Sequence, residues 1–166
     1  MALMSQKVYI TPGGARKLRD ELTGLWRVTR PAVTRDVKAA AALGDRSENA
    51  DYIYGKKRLR EIDKRIRYLT KRLDNLEIVD RTPDDEDTVY FGAWVRLENE
   101  AGEISEHRIV GSDEFEPKLG WISLESPMAK CLLGKKKGSR TEIHLDSGRV
   151  ELYILEVQYS PFSEQK

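Results

Sequence analysis

The chain has 166 residues, 39% of them apolar and 34% charged, which suits one ordinary or two small folded domains rather than a disordered tail. No stretch approaches the roughly 18 apolar residues of a membrane span, and residues 1–9 lack the apolar core of a secretory signal, so a cytoplasmic protein is expected. Cys131 is alone, which excludes an internal disulfide framework and a multi-cysteine zinc site. The net charge of +1 conceals a division: residues 1–83 hold nineteen Lys and Arg against eleven Asp and Glu, net +8, whereas residues 84–166 hold ten against seventeen, net −7. Two halves of opposite sign are expected to face different partners, or different parts of one.

Thr11-Pro12 offers an N-cap followed by proline in the first turn of a helix. From there Leu18, Leu22, Leu25, Trp26, Ala32, Val33, Ala39, Ala40 and Leu43 recur at threes and fours, the spacing of one helix face. Pro31 removes a backbone donor within this run and is expected to kink it. Gly44 suits the helix end, and Ser47, with Asp45 as rival, suits the cap of a second helix reaching to about Glu77, roughly 45 Å long. Its seam of Tyr52, Gly55, Leu59, Ile62, Ile66, Leu69, Leu73 and Leu76 follows unbroken coiled-coil spacing. The short connection predicts antiparallel neighbours.

Residues 81–87, acidic and containing Pro83, read as a linker, which places an N-terminal coiled-coil hairpin at 1–82 and a C-terminal domain at 83–166. After the linker the period becomes two. Val89, Phe91, Ala93, Val95 and Leu97 alternate as a strand, the turn at 98–102 leads to a second strand over 104–110, and Trp121 to Leu124 form a short third. Pro127 to Leu133 read as a brief helix stopped by Gly134, and Thr141–Leu145 with Val150–Tyr159 form a terminal hairpin. The fold class is α+β, a helical hairpin plus a small, mostly antiparallel sheet with one short helix.

Chemistry concentrates at the hairpin turn. If the second helix starts near Asp45, Asp45 and Glu48 share one side of its first turn and could supply part of a Mg²⁺ shell, since that ion takes one or two carboxylates and leaves its other positions to water or phosphate. The other reading is that Asp45, Glu48 and Asp51 complement the positive end of the helix dipole. Behind them, residues 56–72 carry nine Lys and Arg against Glu61 and Asp63. Such a run is either a solvated flank with Lys57–Glu61 and Asp63–Arg67 pairs, or a surface for nucleic-acid phosphates. His107 and His144 are expected to face solvent, no serine has a nucleophile-elbow context, and residues 134–138 lack P-loop spacing.

The run from Leu43 to Tyr52, followed by Lys57-Arg58-Leu59-Arg60-Glu61-Ile62-Asp63, resembles the hairpin tip and second helix of the bacterial Gre transcript cleavage factors. Tyr9-Ile10-Thr11, Trp26, Arg30-Pro31, Phe91-Gly92-Ala93-Trp94-Val95, Arg108-Ile109-Val110-Gly111 and Ser126-Pro127-Met128-Ala129 point to its GreB type, and the resemblance spans nearly the whole chain. It implies a coiled coil that enters the secondary channel of RNA polymerase and an FKBP-like C-terminal domain that grips the channel rim. It also implies that Asp45 and Glu48 help hold the second Mg²⁺ of the polymerase active centre, where the 3′ end of a backtracked RNA is cleaved. The protein would bind no cofactor by itself, act as a monomer, and be no enzyme alone. Lys56, Lys57, Arg60, Lys64 and Arg67, chosen by helix face and charge, are the expected RNA contacts; Glu125, Ser126 and Pro127 are the expected docking residues. Prolyl isomerase activity does not come with the fold. Two further functions stand beside cleavage stimulation: a channel-binding regulator that inhibits without cleavage, and a free nucleic-acid-binding coiled coil.

Overall fold

A computed structural model describes residues 6–163. The described residues form two compact units, one of residues 6–7 and 15–76, the other of residues 8–14 and 77–163. The segment 8–14, placed with the N-terminal half by the division at 82/83, packs with the second unit.

The first unit is a helical hairpin. Helix α1 (Pro12–Gly24) runs through a π-helical turn, Leu25–Thr29, into α2 (Arg30–Ala41), and α3 (Ala50–Asp74) returns. The π turn explains how the chain passes Pro31: its ring would clash with the carbonyl four residues back, and the ladder widens so that Arg30 N–H donates to Leu25 O. Arg30 Nε reaches Asp63 at 2.7 Å, Arg65 Nε reaches Glu21 at 2.7 Å, and Asn49 Nδ2 reaches Ala40 O at 2.8 Å. Such pairings, high numbers opposite low ones, make the helices antiparallel.

The seam on α3 lies where spacing put it. Gly55, Ile62 and Leu69 are buried, Tyr52, Leu59, Ile66 and Leu73 half-buried. On the outgoing strand of the hairpin the stripe is narrower than expected: Leu18, Val33 and Ala40 are buried, but Trp26, Ala39 and Leu43 are exposed. The π turn adds a residue to one revolution and rotates the face, and Val37 enters the seam. Its Cγ2 lies so near Gly55 that a Cβ there would stand 2.7 Å away. Helix α3 is about 37 Å long and ends at Asp74, not Glu77. Asn75 caps it by donating Nδ2 to Lys71 O at 3.0 Å, and Leu76 turns out into β2 (Leu76–Ile78).

The second unit carries a five-stranded sheet in the order β5 (Trp121–Ser123), β4 (Ile104–Val110), β3 (Trp94–Asn99), β7 (Gly148–Gln158), β6 (Arg140–Leu145). All neighbours are antiparallel except β4 and β5. Helix α4 (Pro127–Leu132) covers the inner face, where Val95, Leu97, Ile109, Ala129, Leu132, Ile143 and Ile154 form the core. The residues from Val89 to Ala93 are not a strand: Gly92 takes φ +85°, and only Val89 and Ala93 turn inward. Strand β1 (Val8–Ile10) pairs with β2, and Val79 N donates to Ile10 O at 2.9 Å. Thr11 then caps α1 by accepting from Gly14 N at 3.2 Å. The buried carboxylate of Glu114 anchors that corner, accepting from Thr11 N at 3.0 Å, from Gly111 N at 2.9 Å and from the Thr11 hydroxyl.

Candidate functional site

The hairpin turn, residues 42–49, is built by its two ends. Helix α2 stops at Ala42, whose N–H still reaches Lys38 O, and Gly44 reverses the chain with φ +127°, a conformation open to glycine. Asn49 starts α3: its Oδ1 accepts from Tyr52 N at 3.0 Å while its Nδ2 donates to Ala40 O at 2.8 Å. Neither Ser47 nor Asp45 is therefore the cap. Asn49 does the capping, and the same amide also ties the two helix ends together, which an acceptor-only carboxylate could not do.

Asp45 has a different task. Its Oδ1 accepts from Ser47 N at 2.9 Å and from Ser47 Oγ at 2.7 Å, closing a small turn of its own. The Ser47 hydroxyl first, and its amide next, hold the Asp45 carboxyl below its ordinary value and so keep it ionised. Both bonds fall on Oδ1, which leaves Oδ2 to solvent or a cation. Asp45 and Glu48 are both exposed and lie in the loop ahead of α3, not on its first turn. Asp51 is the acid of the first turn, so the dipole account belongs to it. Among the described residues no group of three or more His, Cys, Asp or Glu side chains is placed to hold a metal ion. Two hard oxygen donors fit a share of a Mg²⁺ shell and no more. The exposed apolar side chains Leu43, 81% accessible, and Tyr54 flank this loop.

At about 100° per residue, Lys56, Lys57, Arg60, Lys64 and Arg67 fall within roughly 100° of the circumference of α3, on the side turned away from the seam. Apart from half-buried Lys56 they are exposed, and they make no ion pair among the described residues. The anticipated Asp63–Arg67 pair does not form, because Asp63 is taken by Arg30 across the hairpin. The basic stripe is thus left with its charge uncompensated.

In the second unit Ser126 caps α4, its Oγ accepting from Ala129 N at 3.2 Å, with Pro127 at the first helical position and Glu125 exposed before it. His144 is exposed, but His107 is half-buried between β-strands, and burial lowers its pKa. The expectation for His107 failed because the residue stands opposite buried Val95 and, two positions before Ile109, shares its face of the sheet. What sequence reasoning missed altogether was Asn49; an Asn ahead of the first seam residue was its signal.

The family described as Transcription elongation factor, N-terminal, matches residues 8–78, and that described as Transcription elongation factor, GreA/GreB, C-term, matches residues 83–159. The chain is 56% identical over 156 residues to Transcription elongation factor GreB of Pasteurella multocida, covering 94% of this chain and 99% of that one. It is 52% identical over 163 residues to the GreB of Yersinia pestis, covering 98% and 95%. Among solved structures, the GreA factor homolog 1 of Thermus thermophilus aligns over 92% of this chain and 99% of that one at 22% identity, with a TM-score of 0.42. The chain belongs to the GreA/GreB family of transcription elongation factors.

Proposed function

We propose that this elongation factor rescues backtracked RNA polymerase by presenting Asp45 and Glu48 to the polymerase active centre through its secondary channel, so that the polymerase cleaves the 3′ end of its own transcript. The observation that carries the reading is the exposed pair of acids on a loop fixed at both ends by Asn49 and ahead of an uncompensated basic stripe. Two carboxylates hold magnesium poorly alone; docking beside the polymerase's own acids would raise their effective concentration. Mg²⁺ shared in this way supplies Lewis-acid activation of water for phosphodiester hydrolysis. The protein's own residues do the rest. Ser47 keeps Asp45 ionised and aimed, Asn49 holds the loop, and Lys56, Lys57, Arg60, Lys64 and Arg67 position the extruded RNA through its phosphates. Glu125, Ser126 and Pro127 contact the channel rim, and the protein works as a cytoplasmic monomer without enzymatic activity of its own.

The test is release of short RNAs from a stalled, backtracked elongation complex. Asp45→Ala and Glu48→Ala should each abolish release and leave polymerase binding intact. Full cleavage by both variants would sink the mechanism. Inhibition of RNA synthesis independent of these acids would instead favour a channel-blocking regulator.

A further inference from the structure

On the sheet face turned away from the core of the second unit, three residues stand in one row across three strands. Trp94 on β3 pairs with Arg108 on β4, and Arg108 with Trp121 on β5. The residue that follows each of them on its own strand, Val95, Ile109 and Ile122, points to the core, as strand alternation requires. The Arg108 guanidinium carbon lies 5.1 Å from the Trp94 ring centroid and 5.0 Å from that of Trp121, and the two indoles meet edge to face at 6.3 Å. Arg108 Nε is buried without a hydrogen-bond partner, and among the described residues the side chain makes no ion pair. Its two terminal nitrogens are not buried with Nε.

Arg96, in the neighbouring outward row, shows what an ordinary arginine does here. It binds Glu106 at 3.0 Å and stacks on Phe162 at 4.4 Å. Arg108, by contrast, lies against two indoles and keeps its terminal nitrogens free of hydrogen bonds; burial lowers its pKa, and the Glu114 carboxylate acts against that shift.

We propose that Arg108, clamped between Trp94 and Trp121, receives an aspartate or glutamate side chain of RNA polymerase, with apolar neighbours of that residue lying on the indoles. The proposal rests on polymerase being the partner, though not on the Glu125-Ser126-Pro127 contacts. Arginine and tryptophan are the residues in which binding energy concentrates at interfaces, and an arginine already ordered loses less entropy on docking. A planar fork matches a carboxylate, and partial desolvation strengthens the pair. A nucleic-acid strand fits less well: residues 84–166 carry net −7, and Glu106 and Glu156 occupy the adjoining row, so a polyanion meets repulsion where one carboxylate does not.

The experiment measures the affinity of the full chain for bacterial core RNA polymerase, using wild type, Arg108→Gln and Arg108→Lys, with thermal melting of each. Arg108→Gln should weaken binding between about 10- and 100-fold. Arg108→Lys should also weaken it, because an ammonium keeps the charge but not the fork; it serves as the decisive variant if the glutamine protein melts early. Wild-type affinity within about two-fold in the folded variants would overturn the proposal. So would loss of binding to a single-stranded RNA oligonucleotide with polymerase binding unchanged, which would assign the face to nucleic acid. Absence of binding by the wild type would instead refute the polymerase reading beneath it.

Discussion

Asn49 is the residue whose loss should most directly separate the geometry of the hairpin turn from its chemistry. Asn49→Ala removes the acceptor for Tyr52 N and the donor to Ala40 O at once. An N-cap contributes about 1 kcal/mol and a further hydrogen bond about 1 kcal/mol, so the hairpin should lose about 2 kcal/mol. Asn49→Asp keeps the cap and turns the donor into an acceptor facing a carbonyl, so it should lose about 1 kcal/mol or somewhat more through repulsion. Urea unfolding followed by far-ultraviolet circular dichroism measures both, and amide exchange at Tyr52 should accelerate in the alanine variant but less in the aspartate one. Because Asp45 and Glu48 remain, the alanine variant should still bind polymerase yet stimulate cleavage less. If both variants lie within about 0.5 kcal/mol of wild type, the amide does not tie the helices and the account of the turn is wrong.

Gly55→Ala would ordinarily stabilise a helix by about 0.8–1 kcal/mol, but here the new methyl meets the stiff Val37 side chain at 2.7 Å. Overpacking costs about 1–3 kcal/mol, so the net change should be destabilising by about 1 kcal/mol, and Val37→Ala in the same chain should reverse it; a stabilised single variant contradicts the close approach. The Asp45 carboxyl, depressed by Ser47, should titrate below its ordinary value by NMR. Since the folded-state pKa is the lower one, this local turn is favoured above the ordinary carboxylate pKa and lost as pH falls through the depressed value. Ser47→Ala removes the hydroxyl donor and keeps the amide, so the titration should move part of the way back toward the ordinary range, and an unchanged midpoint would show that the hydroxyl bond does not form in solution.

Much of this protein was legible as periodicity. The α3 seam from Tyr52 to Leu73 follows from 3–4 spacing because burial on a helix depends on angle alone, and angle is fixed by residue number. The basic stripe of Lys56, Lys57, Arg60, Lys64 and Arg67 follows for the same reason, and the strands expected over 104–110 and 141–145 follow from alternation. The candidate acids were visible too, through the run from Leu43 to Tyr52. Their setting was not: two acids three apart fit a first helical turn as well as a loop, and the choice depended on Asn49 finding Ala40 O nine residues back.

Every property with a local period or a local composition could be read from the residues in order: two halves of opposite charge, a helical hairpin, a sheet, an acidic turn. The pairings between distant residues came from packing. The Pro31 π turn rotated one helix face and exchanged Ala39 for Val37 in the seam. Asp63 chose Arg30 over its helical neighbour Arg67. Glu114 met Thr11 across 103 positions, and β3, β4 and β5 brought Trp94, Arg108 and Trp121 into one row. Such contacts are set by strand register and helix rotation, which depend on the packing of the whole unit, and no window of sequence contains them.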